Sequence, residues 1–200
     1  TPDGAGPTAT TDRLVMGPAL TVPYRCNFAT DDQFALWNVI DANNDKYTWK
    51  RETTLAAAYY YYNEDGETGG DDWLVSSPIH LEKDKIYRLK FKLQSYDVGY
   101  PEKVAVHLGT GASVAEQTTL LGDYEIESNT FVEYKVILPE KLESGNYHIS
   151  FHCHSEPYMF ILYVTDVLLE EVSEGVLSGV VTNGQTPLEL SLIHISEPTR

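Results

Sequence analysis

The stretch Tyr87-Arg-Leu-Lys-Phe-Lys-Leu93 decides the fold class, because apolar and basic residues alternate through it without a break. In an extended chain successive side chains point to opposite faces, so Tyr87, Leu89, Phe91 and Leu93 share one face. The three basic residues between them share the other face. This pattern predicts a strand that buries one face in a core and exposes the other to solvent.

The same alternation recurs elsewhere in the chain. It is found in three further segments, Val104–Leu108, Val132–Leu138 and Tyr147–Cys153. Phe160–Leu169 is apolar on both faces, which is typical of a strand near the centre of a sandwich. Turn residues such as Gly, Pro and Asn separate these runs, and only Asp31–Val39 has a pattern compatible with a helical turn. The sequence therefore predicts an all-β fold, an antiparallel β-sandwich.

Composition and charge exclude several kinds of partner. The chain of 200 residues is 42% hydrophobic, and its 30 acidic and 14 basic residues give a formal charge of −16. Such a charge repels nucleic acid and anionic lipid, both of which are bound through Lys and Arg. No apolar run reaches the roughly 18 residues of a membrane span. We therefore expect no nucleic-acid partner and no membrane insertion, and an export signal is expected only upstream of Thr1.

The ends of the chain differ in composition from the middle. Residues 1–22 are rich in Gly, Pro, Thr and Ala and are interpreted as a linker or the tail of an upstream module. Residues 23–172 carry the strand pattern and form the predicted domain. Residues 173–189 are similar to the opening hairpin of a further β-sandwich repeat, and residues 190–200 closely resemble a translated sequencing adapter. We therefore expect covalently linked neighbouring domains in a longer chain and assign no role to His194.

Cys26 and Cys153 are the only cysteines in the sequence. One disulfide is possible, but sequence alone does not place the two α-carbons within bridging distance. A redox motif of the C-x-x-C type is absent from the sequence. Two separate buried thiols are the favoured interpretation, and a disulfide is the alternative.

Oxygen-bearing side chains recur at every second position of one short polar segment. Asp41, Asn43 and Asp45 alternate there, the arrangement by which a tight loop surrounds a hard cation such as Ca²⁺. An EF-hand is not indicated, because Lys46 stands where that loop needs Gly. The alternative is a turn in which Asp and Asn side chains bind their own backbone. Ca²⁺ in a structural role is the one cofactor that we expect.

Two acids and three histidines are further candidates. Asp71 and Asp72 precede an apolar strand, where they are able to ligate a metal or hold a loop. A glycosidase needs two carboxylates that flank the sugar, but acids are too abundant here for this pair to indicate one. His148, His152 and His154 fall on one face of a predicted strand, where neighbours can share a metal. Structural or solvated histidines are the favoured interpretation.

Tyr59–Tyr62 form an aromatic run beside a loop rich in Gly and acids. Exposed rings stack on sugars through their apolar faces, while the hydroxyl groups bind sugar hydroxyls. Alternation along a strand buries two of the four rings, so half of the run is expected in the core. Tyr60 and Tyr62 are the candidate ligand-binding residues.

Six motifs in a fixed order resemble a known family. They are Pro23-Tyr24 with Phe28, Trp37-x-x-x-Asp41-x-x-x-Asp45-x-x-x-Trp49, Asp72-Trp-Leu-Val-Ser-Ser-Pro78, Glu102-x-x-x-Val106, Gly145-x-Tyr147-x-x-x-Phe151-His152 and Leu162-Tyr-Val-Thr-Asp-Val167. This order resembles the cleaved-adhesin or choice-of-anchor J domains of Bacteroidetes surface proteins, over about Pro23 to Val172. The resemblance implies a MAM-like jelly roll, similar to carbohydrate-binding modules, in a secreted or surface-anchored protein.

The resemblance also implies a set of metal ligands. Asp41 and Asp45 match the acidic loop of the family, and Asp166 matches an acid in its closing strand. With Asn43 these residues form the predicted calcium site. Two positions depart from the family, because Thr165 stands where many members carry a second Asp, and the residue after Asp45 replaces a common Gly.

The resemblance implies a non-catalytic extracellular binding or adhesion module for host proteins, haem proteins or glycans, and we expect a host protein or a glycan as the partner. The alternative is an accessory domain of a secreted peptidase or glycoside hydrolase whose catalytic domain lies outside this sequence. A third hypothesis makes the chain itself an enzyme that uses His152 or His154 with nearby acids. No G-x-S-x-G or H-E-x-x-H motif in the sequence supports it.

Overall fold

Two six-stranded antiparallel sheets pack against each other in the computed structural model, which describes residues 18–61 and 68–172. The strands are β1 Tyr24–Cys26, β2 Trp37–Asp41, β3 Lys50–Glu52, β4 Ala57–Tyr61, β5 Asp72–Ser76, β6 Ile79–Leu81, β7 Ile86–Ser95, β8 Glu102–Gly109, β9 Thr119–Ile126, β10 Val132–Ile137, β11 Gly145–Cys153 and β12 Ile161–Val172. One short helix, α1 Asp31–Ala35, and a 3₁₀ turn at Val114–Glu116 complete the described elements. The predicted all-β sandwich of jelly-roll type is confirmed. The predictions for residues 1–17, for Tyr62 and for residues 173–200 lie outside the described residues.

Each sheet combines strands that are distant in sequence. The first sheet has the order β10-β7-β12-β4-β3, and β1 also pairs with β12. The second sheet has the order β2-β5-β11-β8-β9, and β6 also pairs with β11. β12, which contains most of the segment predicted as apolar on both faces, lies in the middle of the first sheet. Most side chains of β12 are buried on both of its faces, which agrees with its composition.

The stretch that decided the fold class is β7. Tyr87, Leu89, Phe91 and Leu93 are buried, as the alternation predicted, and the basic residues between them are half-buried on the outer face. Successive side chains of an extended strand point to opposite sides, so β7 contributes four core residues to the interior between the sheets.

Aromatic rings join the two sheets at the centre of the core. Phe151 of β11 lies between Trp37 of β2 and Phe91 of β7, with ring centroids 5.9 Å and 5.3 Å away. Phe28 packs on Trp37 at 5.4 Å. Tilted and edge-to-face contacts of this kind add about 0.5–1.5 kcal/mol each beyond the burial of area. The core therefore depends on rings from both sheets.

Two boundaries differ from the sequence prediction. The helical turn expected in Asp31–Val39 fills only the first half of that segment, since β2 begins at Trp37. The Thr30 hydroxyl accepts a hydrogen bond from the Gln33 amide and caps the helix. Leu20, which falls in the predicted linker, pairs with Ile79 in a parallel bridge and packs against the core.

Both cysteines are buried and free in the described part of the chain, with Cys26 on β1 and Cys153 on β11. They lie in different sheets. Burial raises the pKa of both thiols. The interpretation of two separate buried thiols is confirmed. Neither helix of the described residues has the length and apolarity that crossing a membrane requires.

Candidate binding site

The acidic loop, residues 41–46 at the end of β2, is held closed by hydrogen bonds between its side chains and its own backbone. Asp41 accepts hydrogen bonds from the amides of Asp45 (3.2 Å) and Lys46 (2.9 Å), and Asn43 Oδ1 also accepts from the Asp45 amide (3.2 Å). Asp45 Oδ1 in turn accepts from the Tyr47 amide at 2.8 Å. Lys46 has a φ of 73°, a left-handed conformation that Gly adopts more readily. The turn interpretation therefore describes the geometry of this segment.

The fully buried carboxyl of Asp72 lies behind the acidic loop. In the backbone register, Asp72 of β5 is the partner of Asp41 of β2. Its Oδ2 accepts from the Asp71 amide at 3.3 Å, whereas its Oδ1 and the buried Oγ1 of Thr48 meet no hydrogen-bond partner among the described residues. Burial raises the pKa of Asp72 to about 7; nearby Thr48 opposes the rise, and the charges of Asp45 and Asp41 add to it. A cation would relieve such an unpartnered buried oxygen.

Asp166, the fourth predicted metal ligand, is not part of this group. It is exposed on β12 in the first sheet, and its Oδ2 lies 2.7 Å from Nζ of Lys92. The hydroxyl of its neighbour Thr165 lies 2.6 Å from the carbonyl oxygen of Ala56 and 3.2 Å from that of Asn27. The structure thus corrects the predicted set, because Asp166 and the acidic loop belong to different sheets. Across residues 18–61 and 68–172, no three His, Cys, Asp or Glu side chains are arranged to hold a metal ion.

The outer face of the second sheet carries a cluster of rings. Trp73 of β5 and His152 of β11 are stacked, with centroids 4.0 Å apart and planes 8° from parallel. His107 of β8 lies 5.0 Å from Trp73, and His154 lies 5.6 Å from His152. Trp73, His107 and His152 share one face because each alternates with core residues along its strand, and His154 follows directly after the end of β11.

Acidic side chains from neighbouring strands fix two of these histidines. Asp71 Oδ1 lies 2.8 Å from His152 Nε2 and accepts a hydrogen bond from Trp73 Nε1 at 3.3 Å. Asp123 of β9 lies 2.8 Å from His154 Nε2. Burial lowers the pKa of His152, and the interaction with Asp71 opposes this effect. Asp71 and Asp123 thus contact the rings of His152 and His154 directly.

The remaining sequence candidates lie apart from one another. His148 is buried, with Nδ1 only 2.6 Å from the carbonyl oxygen of Ser76. Asp71 lies on the outer face of the second sheet, whereas Asp72 is buried on the inner face. The two carboxyls therefore do not flank a common space, which a pair of glycosidase carboxylates must do.

The tyrosine run divides between core and surface. Tyr60 is 1% exposed, and its ring centroid lies 6.3 Å from that of Trp49. Tyr60 is therefore a core residue, which corrects its assignment as a ligand-binding residue, and Tyr62 lies outside the described residues. Tyr59 and Tyr61 alternate with Tyr60 along β4 and are half-buried on the outer side.

An exposed group of rings, which we call the aromatic patch, lies at one end of the first sheet. It consists of Tyr61, Tyr96, Tyr100 and Phe160. The Phe160 centroid is 4.6 Å from that of Tyr96, 5.6 Å from that of Tyr61 and 5.9 Å from that of Tyr100. Tyr96 and Tyr100 are 52% and 46% exposed. Tyr158, in the loop that leads to Phe160, is exposed as well.

Sequence reasoning missed the aromatic patch because its members come from three separate segments. The register of β12 against β4 and β7 brings them together, since Ile161 pairs with Tyr61 and Leu162 pairs with Ser95. One signal was available. Tyr96 and Tyr100 flank a turn segment, where small polar residues are usual.

Solved structures of two kinds of binding module share this fold. The K1 cleaved adhesin domain of Lys-gingipain from Porphyromonas gingivalis W83 matches with a TM-score of 0.60 at 19% identity, over 75% of this chain and 98% of that chain. The module CBM1 of BiXyn10A, in its apo form, matches with a TM-score of 0.55 at 12% identity, over 76% and 99%. The CBM22-2 xylan-binding domain of Paenibacillus barcinonensis Xyn10C matches with a TM-score of 0.50 at 9% identity, over 74% and 99%.

These similarities define the class of fold, a jelly roll of the kind found in adhesin domains and carbohydrate-binding modules. No protein-family model matches the sequence, and no curated protein does either. At identities of 9% to 19% the likeness establishes the architecture alone. The ligand has to be argued from the surface of this chain, because one fold carries many functions.

Proposed function

We propose that this chain is a non-catalytic extracellular module that binds a neutral glycan through the aromatic patch. The observation that carries the proposal is the exposure of Tyr96 and Tyr100 around the ring of Phe160. A contiguous exposed apolar group on a protein surface marks a site of interaction. Tyrosine combines a flat apolar face with a hydroxyl group, and a sugar ring presents the same combination.

The rings of the aromatic patch are held in place by one another before a ligand binds, which favours tight binding. Phe160 and Tyr61 are half-buried, and Phe160 contacts Tyr61 and both of the more exposed rings. A ring already held by its neighbours loses little conformational freedom when a ligand stacks on it. Tyrosine itself has only two side-chain torsions to fix, so the entropy lost on binding is small.

The charge of the chain selects among glycans. A formal charge of −16 repels sulfated, sialylated and uronic acid chains at ordinary ionic strength. Close to the aromatic patch, Asp97 lies in the turn between Tyr96 and Tyr100, and its Oδ1 accepts a hydrogen bond from the Gly99 amide. A neutral sugar meets no such repulsion, and an acidic side chain at the edge of the site is able to accept its hydroxyl protons.

A host protein is the second candidate partner. Val98, which lies between Tyr96 and Tyr100 in sequence, is strongly exposed. Tyrosine is enriched at protein interfaces, whose buried centre is more apolar than the rim, and an exposed valine adds apolar area of that kind. Residence outside the cell is part of the proposal, and an accessory place beside the catalytic domain of a secreted peptidase or glycoside hydrolase is its alternative context.

Binding of the full chain to an array of neutral, sialylated and sulfated glycans tests this proposal, with host proteins on the same array. We expect saturable binding to one or more neutral glycans and none to the sulfated ones. Binding to proteins alone, or to acidic glycans alone, contradicts it.

We further propose that Ca²⁺ binds at the acidic loop, with Asp72 in the place predicted for Asp166. The donors would be oxygens of Asp41, Asn43, Asp45 and Asp72, and hard oxygen donors of this kind suit Ca²⁺. The unpartnered Oδ1 of buried Asp72 supports the proposal. To hold an ion, Asp41 and Asp45 have to release the backbone amides that they now bind.

A further inference from the structure

A second fully buried carboxyl, that of Glu102 at the start of β8, lies close behind the aromatic patch. Its Oε2 lies 2.5 Å from the hydroxyl oxygen of Ser155, whereas its Oε1 has no hydrogen-bond partner in the described part of the chain. The backbone amide of Phe160 faces the same carboxyl. Glu102 therefore contacts both ends of the segment 155–160, which carries Tyr158 and the central ring of the aromatic patch.

Ser155 is the anchor of this segment. Its Oγ accepts a hydrogen bond from the Lys103 amide at 2.9 Å, and its carbonyl oxygen accepts one from the Gly70 amide at 2.9 Å. The next residue, Glu156, forms an ion pair with Nζ of Lys103 at 2.8 Å. Polar contacts of Ser155 thus tie the segment to β8, and Glu102 is the buried end of that network.

We infer that Glu102 is a positioning residue for the aromatic patch. Its protonated carboxyl holds the segment 155–160 closed, and ionisation of this carboxyl releases the segment. The inferred coupling between Glu102 and the segment does not depend on a ligand. The consequence for ligand binding rests on the proposed function of the aromatic patch.

Protonation removes the charge from this fully buried carboxyl and leaves its hydrogen bond to Ser155 in place. With a proton on Oε2, Glu102 donates to Ser155 Oγ, and the Ser155 hydroxyl is then able to donate to the Lys103 carbonyl oxygen, 3.4 Å away. An ionised carboxyl instead takes the hydrogen of Ser155 and leaves a buried charge with Oε1 unsatisfied, which is unfavourable. Burial accordingly raises the pKa of Glu102 to about 7, although Ser155 and the Phe160 amide oppose the rise.

Other titratable groups lie inside or near the same interior, and their responses to pH have to be separated from that of Glu102. Burial raises the pKa of Cys153 on β11 and of Tyr60 on β4, so both stay protonated at neutral pH. Asp72 on β5 titrates near pH 7 as well, but it adjoins the acidic loop. His154 lies on the outer face of the second sheet. Replacement of Glu102 alone therefore separates its contribution from theirs.

The direction of the pH effect follows from the two protonation equilibria. In an open segment Glu102 meets water, where its pKa is the ordinary 4.5, against about 7 in the closed segment. As the pH rises from 4.5 to 7, the open form loses its proton and the closed form keeps it, so opening becomes more favourable. Ten to the power of the pKa difference gives a rise in the opening constant of up to roughly 300-fold, which is about half reached at pH 7 and nearly complete at pH 8.

Amide hydrogen exchange of the full chain tests this inference, with protection factors corrected for the intrinsic pH dependence of exchange. Between pH 5 and pH 8 we expect protection in residues 155–160 to fall by roughly 70-fold in the native chain. In Glu102→Gln, which keeps the size of the side chain but cannot ionise, protection should stay level. Amides in the β7–β10 pair serve as the internal control in both chains.

Protection that does not vary with pH in the native chain, or that falls equally in Glu102→Gln, overturns the inference. If the variant does not fold, the pH dependence of protection in the native chain, compared between residues 155–160 and the amides of β7 and β10, still tests the inference. Glycan affinity is measured separately at pH 5. Absence of glycan binding beside the expected exchange profile refutes the proposed function and leaves the role of Glu102 intact.

Discussion

The indole of Trp73 lies parallel to the imidazole of His152, 4.0 Å away, and both rings hydrogen bond to one oxygen of Asp71. This contact joins β5 to β11 on the outer face of the second sheet. It places a titratable ring in a largely buried position, where its protonation is coupled to folding.

His152 should titrate below pH 6.5, the ordinary histidine pKa, because burial disfavours the charged ring more than Asp71 favours it. NMR titration of the ring protons measures this pKa directly. Asp71→Asn should lower it further, since the carboxylate stabilises the imidazolium. A folded pKa below the unfolded value means that His152 destabilises the fold as the pH falls below about 6.5. A measured pKa of 6.5 or above contradicts this prediction.

Ca²⁺ should raise the melting temperature of the chain. A site with a Kd of about 10⁻⁴ M, as in extracellular modules, adds about 2.7 kcal/mol at 10 mM Ca²⁺, or roughly 5–10 °C for a domain of this size. Scanning calorimetry with Ca²⁺ and with chelator measures the shift. Asp72→Asn should abolish it, and Asp166→Asn, outside the acidic loop, should leave it unchanged. Equal melting temperatures of the native chain in Ca²⁺ and chelator rule out the proposed cation.

Phe151→Ala should destabilise the fold by about 3–5 kcal/mol, because it removes the ring that joins Trp37 to Phe91 and leaves a cavity. Urea unfolding measures the difference. Leu120→Ala serves as the control, since this exposed side chain should change the free energy of unfolding by less than about 0.5 kcal/mol. Similar losses in the two variants contradict the placement of the core.

Neither thiol should react with a water-soluble disulfide reagent in the folded chain, because both are buried and burial raises their pKa. Two thiols should react after unfolding in urea. A reducing agent should leave the free energy of unfolding unchanged. Fewer than two thiols in the unfolded, unreduced chain would indicate a disulfide.

The strands of the core could be predicted, because alternation reports directly which face of a strand is buried. The alternation gave the correct faces in β7, with Phe91 inside, and in β11 it placed Phe151 inside and His152 outside, although His148 on the same face as His152 is buried. Short edge strands such as β3 escaped prediction, since three residues are too few to show a period.

The candidate sites depended on pairing between distant strands, which a local pattern does not encode. Asp166 carries the same side chain as the acids of the acidic loop but lies on a different sheet. Tyr60 was assigned to the wrong face of its strand. A shift of one position moves a side chain from surface to core. Glu102 and Asp72 gave no sign of burial in the sequence, because a buried acid looks like an exposed one until its neighbours are known.

The proposed glycan site is tested most directly by calorimetric titration of the neutral glycan selected on the array into Tyr100→Ala and Tyr96→Ala. Ile137→Ala is the matched control, because Ile137 is 50% exposed on β10, away from the aromatic patch. We expect each tyrosine variant to weaken binding at least tenfold, about 1.4 kcal/mol, with unchanged unfolding, and the control to bind as the native chain does. Native affinity in both folded tyrosine variants would contradict the assignment of the aromatic patch as the ligand site.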